Sequence, residues 1–324
     1  MILTLTLNPA VDISTTVDRL RPDHKLRCDA PRYDAGGGGI NVSKAIHRLG
    51  GTSLCLFPTG GAPGMLLEEL VTQEQLAFQT FPIAGWTRQS FVVTESTTHQ
   101  QFRFGLPGPV WTEAEGLAMM DHLSGFLDRI DFLVVSGSLP PGVPVGFCAE
   151  IAWRAKKSGV RLILDTSGEP LKQAIRESPF LLKPNVGELA ALVGTDKLEL
   201  NEVEEAAQTI LQQGGCELMV VSLGPAGAYL FTKKTGVALS GQERTCFYVP
   251  APTVKKQSTV GAGDSMVGGM VYGLSQGQSY EAILQLGVAC GTAATMNPGT
   301  ELFHQADVTR LLHWIKTAPG SHNS

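Results

Sequence analysis

The feature that most constrains this chain is a junction that recurs along it. A short apolar run ends in small or polar residues, and a helical pattern follows. "DFLVVSGSLPPG", "VRLILDTSGEP", "FLLKPNVGE" and "LMVVSLGPAG" all have this form. Apolar runs at 2–7, 53–57, 131–138, 160–167, 180–185 and 218–224 are predicted as strands buried on both faces. Helices are predicted at about 40–49, 64–75, 112–128, 144–158, 186–193 and 201–213, then at 264–274, 281–296 and about 305–316. Strands and helices in alternation make an α/β chain with a mostly parallel sheet covered by helices on both faces. Ligands of such sheets bind at the carboxyl ends of the strands, where the small and polar residues fall.

Two stretches break the rhythm. Residues 12–34 and 86–104 read as short strands with turn residues, so a small β appendage is expected on the α/β body. Its edges need covering, and pairing with a second subunit would supply that.

The formal net charge of −5 supplies no basic field for nucleic acid or an anionic membrane. Six scattered cysteines, with no C-x-x-C, argue against a disulfide framework or a zinc site and fit a reducing cytosol. "ILTLTL" lacks a basic leader and is too short to span a membrane, so a soluble cytoplasmic protein is expected.

Two glycine-rich turns stand at predicted helix starts. In "DAGGGGINVSKAIHRLG" (34–50), Val42, Ala45, Ile46 and Leu49 make one apolar face behind Gly36 to Gly39. Free N–H groups at such a start attract negative or polar ligand atoms, and the plainer reading is a flexible turn. Dinucleotide binding is poorly supported, because G-x-G-x-x-G with a later acidic residue is missing. In "QSTVGAGDSMVGGM" (257–270) the helix is expected to start near Asp264, with the amides of Gly261, Ala262 and Gly263 bare for a phosphate oxygen. Asp264 beside them is a carboxylate that can take a proton from an attacking hydroxyl; its plainer role is a helix cap.

These segments, with "SGSLPP", "KPNVGEL" and "VVSLGPAGA", resemble in order and interval the motifs of the ribokinase-like (PfkB) sugar kinases. The resemblance runs from "TLTLNPAVD" to "NPGT". It implies one Rossmann-like kinase domain over 1–324 with a β-sheet lid, use of ATP and Mg²⁺, and a homodimer joined through the lids. "TLNPAVD", "KLRC" and "WTRQ" are similar to the phosphosugar branch. Four glycines with no lysine at Gly38 look most like its minor ATP-dependent 6-phosphofructokinases (isozyme 2), which phosphorylate fructose 6-phosphate at the 1-hydroxyl. Asn8 is instead similar to the fructose-1-phosphate branch. The alternatives are a 1-phosphofructokinase or tagatose-6-phosphate kinase and, in other classes, a non-catalytic sugar-phosphate sensor or a nicotinamide oxidoreductase.

The resemblance also implies roles. Asp264 would be the base and Gly261, Ala262 and Gly263 the anion hole. Asp12, Gly37, Gly38, Gly39, Asn41 and Ser138 would meet the sugar, with Arg88, Lys25 and Arg27 at its phosphate. Lys183, Asn185, Ser222, Gly224 and Gly227 would serve the nucleotide, and Val288 and Thr292 would border the adenine unless Val288 is simply core. Asn185 and Glu188 would serve Mg²⁺ through water, although an Asn N-cap with Glu at the third position is also a sound capping pair. Ser258, Val260, Ala294, Asn297 and Gly299 would surround a K⁺ ion, with Glu301 standing where the resemblance has a basic residue.

Overall fold

The first strand shows how the two sheets are joined. β1 (Ile2–Leu5) lies inside the main sheet, and across Thr6–Pro9 the chain enters β2 (Ala10–Val17) and β3 (Arg32–Gly36) of a smaller one. α1 (Gly38–Arg48), β4 (Leu54–Thr59), α2 (Gly61–Gln73) and β5 (Ala77–Pro82) return to the main sheet. β6 (Arg88–Glu95) and β7 (Gln101–Gly105) then complete the small sheet. The alternation continues through α3 (Glu113–Ser124), β8 (Phe132–Ser136), α4 (Phe147–Lys157), β9 (Arg161–Asp165), α5 (Gly168–Ala174) and β10 (Leu181–Leu182). α6 (Val186–Val193), α7 (Val203–Gln212), β11 (Leu218–Ser222), β12 (Ala228–Thr232) and β13 (Cys246–Val249) follow. α8 (Ala262–Ser275), α9 (Tyr280–Ala294) and α10 (Gln305–Thr317) end it. This computed structural model describes residues 1–233, 245–298 and 300–317.

The main sheet has the order β13-β12-β11-β10-β9-β8-β1-β4-β5. It is parallel from β11 to β5, and β12 and β13 add antiparallel at one edge. Its central strands divide their residues between two cores. Leu3, Leu5, Leu133, Val135, Leu162, Leu164 and Met219 face one core, under α3–α7. Ile2, Phe132, Val134, Ile163, Leu218 and Val220 face the other, under α1 and α8–α10. That is why these strands read as unbroken apolar runs: both faces are buried, and each fully buried Leu or Val contributes about 2 kcal/mol.

The small sheet runs β3-β2-β6-β7, with β2 and β6 parallel and both outer pairs antiparallel. It is built from the two stretches that broke the rhythm.

Several boundaries differ from the sequence reading. The strand expected over 180–185 shrinks to Leu181–Leu182, because Pro184 has no N–H for the ladder. β5, β12 and β13 were not anticipated; they lie at the two edges of the sheet, where alternation is weak and Pro82 and Gly227 interrupt the pattern. α8 starts at Ala262, two residues before Asp264. Among the described residues no helix is long and apolar enough to cross a membrane.

Candidate active site

The glycines of the first turn are bare because protein atoms occupy the space beside them. A Cβ on Gly38 would stand 2.2 Å from Ser136 Oγ, one on Gly39 2.7 Å from Leu5 O, and one on Gly36 2.3 Å from Asp12 Oδ2. Gly37 caps α1 at φ 124°, a conformation that L residues rarely adopt. The start of α1 is thus pressed against the carboxyl ends of β1 and β8 and against Asp12.

α8 arrives beside it. Gly268 lets the two helices meet closely, since a Cβ there would lie 2.5 Å from Ala45 Cβ. Gly261 caps α8 with φ 71°, and Leu302 fills the place of its side chain. Asp264 is therefore the third residue of the helix. Its carboxylate accepts from Asn41 Nδ2 at 2.9 Å and Ser136 Oγ at 3.2 Å, both from other elements. Burial, with Asp165 nearby, pushes its pKa up to about 6, against the pull of Asn41, Lys183 and Ser136. A carboxylate so poised is suited to accept a proton near neutral pH.

Behind Asp264 lies a charged pair. Lys183 Nζ is 3.1 Å from Asp165 Oδ1, and Ser136 Oγ is 3.5 Å from Asp165 Oδ2. Burial works against the Lys183 ammonium, but Asp165, Glu188 and Asp264 outweigh it and raise its pKa. A Cβ on Gly263 would lie 3.5 Å from that ammonium, so a fixed cation stands at the turn whose amides open α8. Amides and cation together favour a phosphoryl oxygen. Ser136 and Asp165 were not among the expected site residues. Both end parallel strands, in "SGS" and "DTS", and that position was the available signal.

On the side of the small sheet, Asp12 on β2 is paired across the ladder with Asp34 on β3. Burial raises the pKa of Asp12 to about 6; Arg88 and Lys44 oppose it, and Asp34 and Asp264 add to it. Arg88 opens β6, and its guanidinium donates to Asn8 O, Ser90 Oγ and Leu106 O. Burial lowers its pKa while Asp12 counters. Ser138 is exposed beyond β8 and accepts from Asn8 Nδ2 at 3.1 Å. Lys25 and Arg27 are exposed on the β2–β3 connection, and within this chain the structure does not bring them onto Arg88 or Asp12. A further cation, Arg103 on β7, crosses to Thr259 Oγ1 at 3.0 Å, beside the α8 turn.

Asn185 and Glu188 form a reciprocal capping box at the start of α6: Glu188 N donates to Asn185 Oδ1, and Asn185 N to Glu188 Oε2. Glu188 Oε1 stays outside the box, and its charge reaches Lys183. No cluster of three or more His, Cys, Asp or Glu able to hold a metal exists among the described residues. This donor set fits an ion bound through waters and phosphate, with Glu188 Oε1 and Asn185 nearby. Ser222 N donates to Pro184 O, which brings the end of β11 beside Asn185. Gly224 and Gly227 flank the turn into β12, where a Cβ on Gly227 would meet Val249 O at 2.1 Å. On α9, Thr292 is buried and Val288 packs into the core.

The loop around residues 293–302 is knitted by Asn297, whose Nδ2 donates to Ala293 O and Leu302 O. Ser258 N donates to Thr295 O, and Val260 N to Ser258 Oγ. Ala294 O accepts from Asn297 N. Gly299 lies outside the described residues. Glu301 pairs with Arg32 of β3 at 2.9 Å.

The sequence profile of the pfkB family carbohydrate kinases matches residues 5–306. The chain is 46% identical over 309 residues to an ATP-dependent 6-phosphofructokinase isozyme 2 of Mycobacterium tuberculosis, covering 95% of this chain and 88% of that protein. It is 40% identical over 315 residues to the protein of the same name from Escherichia coli, covering 97% and 98%. The solved structure of Escherichia coli phosphofructokinase-2 in complex with potassium superposes with a TM-score of 0.90 at 40% identity, over 97% of this chain and 99% of that one. The complex of that enzyme with fructose-6-phosphate gives 0.87 at 39%, over the same shares. This chain belongs to the pfkB family of carbohydrate kinases.

Proposed function

We propose that the chain is an ATP-dependent 6-phosphofructokinase that converts fructose 6-phosphate and ATP into fructose 1,6-bisphosphate and ADP. One observation carries the chemistry: Asp264 directly follows the Gly261–Gly263 turn that opens α8, where Ala262 N makes only a long 3.5 Å bond to Thr259 O, and the Lys183 ammonium lies against the same turn. The names and identities of the relatives carry the choice of sugar.

In this reading Asp264 accepts the proton of the sugar's 1-hydroxyl as O1 attacks the γ-phosphorus. The bond from phosphorus to the ADP oxygen breaks, and the proton stays on the carboxylate until the product leaves. The amides of Gly261, Ala262 and Gly263 and the Lys183 ammonium stabilise charge on the transferring group, which is most of what phosphoryl transfer requires. Asp12 accepts from ring hydroxyls, and Arg88 and Ser138 meet the 6-phosphate. Mg²⁺, when bound near Asn185 and Glu188, would supply charge neutralisation at the nucleotide phosphates. K⁺ is proposed in the loop of Ser258, Val260, Ala294 and Asn297.

The active form is proposed to be a homodimer joined through the small sheets, which would also cover Tyr33 on β3 and Phe104 on β7, 44% and 48% exposed in the single chain. Lys25 and Arg27 would then complete a neighbouring site. Light scattering after gel filtration reads this directly, and a monomer that keeps full turnover overturns it.

A coupled assay of ADP release, with fructose 6-phosphate, fructose 1-phosphate and tagatose 6-phosphate in turn, tests the activity. The highest kcat/KM is expected with fructose 6-phosphate, and its dependence on K⁺ is read in the same assay. A preference for either other sugar, or no ADP from any of them, refutes the reading.

A further inference from the structure

Asn8 lies on the four-residue crossing from the main sheet to the small sheet, and it is bonded to both sides of the cleft. Its side chain reaches the loop after β8: Nδ2 donates to Ser138 Oγ at 3.1 Å. Its backbone carbonyl reaches β6, accepting from Arg88 Nε at 3.2 Å. Its Oδ1 is buried without a hydrogen-bond partner among the described residues, against Gly108, where a Cβ would stand 2.1 Å away. The amide is therefore clamped from behind, with its donor end facing Ser138.

The chemistry of that bond is directional. An amide NH₂ only donates, so Ser138 Oγ must spend a lone pair on it and keeps its own hydrogen free. Ser138 is exposed and makes no other hydrogen bond among the described residues, so its hydrogen is available to a ligand. A free hydroxyl donor and a guanidinium bonded to the same residue suit an oxygen-rich anion. We propose that Asn8 is a positioning residue for the sugar phosphate: it holds Ser138 as a donor at the phosphate end of the cleft and registers that donor against Arg88. This rests on the reading of the chain as a sugar-phosphate kinase.

The test is steady-state kinetics on the full chain. The variants are Asn8→Ala, Asn8→Asp, Gly108→Ala, Ser138→Ala and the double variant Asn8→Ala with Ser138→Ala. Asn8→Ala is expected to raise KM for fructose 6-phosphate about tenfold, the effect of one lost oriented hydrogen bond, with kcat and the KM for ATP little changed. The Arg88 bond is to the backbone and survives, so the same change on a Ser138→Ala background should alter KM by less than about twofold. Asn8→Asp keeps the shape but turns donor into acceptor. It would capture the Ser138 hydrogen and place a negative charge beside the phosphate, for a loss on the order of a hundredfold. Gly108→Ala, which pushes the amide aside without altering it, should resemble Asn8→Ala. Should Asn8→Ala fail to fold, the isosteric Asn8→Asp carries the test. An unchanged KM in Asn8→Asp, or equal losses on both backgrounds of the cycle, overturns the inference while leaving the kinase reading intact. A wild-type chain inert toward fructose 6-phosphate overturns both.

Discussion

Asn41 Nδ2 donates to Asp264 Oδ2 over 2.9 Å, joining the first turns of two helices whose sequence positions differ by 223. Asn41 and Ser136 together hold the Asp264 carboxylate, which makes no capping bond to its own helix's amides. A cap could be replaced at small cost, whereas the base proposed above, held by two other elements, could not.

Asp264→Asn should therefore remove turnover by roughly 10²- to 10⁴-fold while the fold persists. The same substitution should not lower the melting temperature at pH 7.5. With its pKa raised to about 6, Asp264 is disfavoured as an anion in the fold, so its contribution to stability is full below about 3.8 and is lost as pH rises from there through about 6. Calorimetry at pH 5 and 7.5 should show the variant's advantage larger at the higher pH, since the loss begins near the ordinary value of 3.8 and is complete above about 6. A lower melting temperature at both would contradict this.

The pH dependence of kcat/KM should show an acid limb near 6, because the base must be ionised in the free enzyme. Asn41→Ala and Ser136→Ala each remove a hydrogen bond that favours the anion, so each should move the limb to higher pH. Lys183→Met should move it further, and leaving Asp165 without its partner should cost about 3 kcal/mol of stability. A limb that stays in place in all three variants would mean that another group sets it.

Much of this was legible before the structure. Unbroken apolar runs ending in Ser, Gly, Asp or Asn identify parallel strands and the rim where the site forms. Broken periodicity located the small sheet. Side-chain direction was the missing part. Nothing in "VRLILDTS" separates Asp165, which grips a buried lysine, from a solvated turn residue, because the partner Lys183 comes from the next strand in the sheet. Gly38 shows the same limit in reverse. Its identity was read as bearing on the choice of sugar, and it also packs directly against Ser136.

Gly38→Ala follows from that packing. A Cβ 2.2 Å from Ser136 Oγ and 2.7 Å from its carbonyl carbon must displace backbone, not merely a flexible side chain. Overpacking at such a place costs about 1–3 kcal/mol, and the displaced serine is one of the two donors to Asp264. The variant should thus lose melting temperature and turnover together, with every sugar phosphate. A variant that keeps stability and changes only its sugar preference would show that α1 can shift without disturbing β8.

Arg32 has no role in the sequence reading, yet it sits at a junction of the site. It donates twice to the buried Asp34, pairs with Glu301 at 2.9 Å, and so ties β3 to the loop before α10. Thr300 Oγ1 donates to Asp34's other oxygen at 2.5 Å. The ion pair with Glu301 is half in solvent and worth well under about 1 kcal/mol. The larger consequence is electrostatic. Asp34 stands opposite Asp12 on the ladder and already pushes its pKa upward. Removing the guanidinium in Arg32→Ala leaves that negative charge less compensated, so Asp12 becomes harder to ionise and its titration moves above about 6. An ionised Asp12 is the better acceptor for sugar hydroxyls. The kcat/KM for fructose 6-phosphate should then fall several-fold at pH 6.5 and recover toward wild type by pH 8. Glu301→Gln, which leaves the Arg32–Asp34 bonds in place, should show little of this dependence. A loss in Arg32→Ala that is equal at both pH values would instead assign Arg32 to holding the small sheet in place.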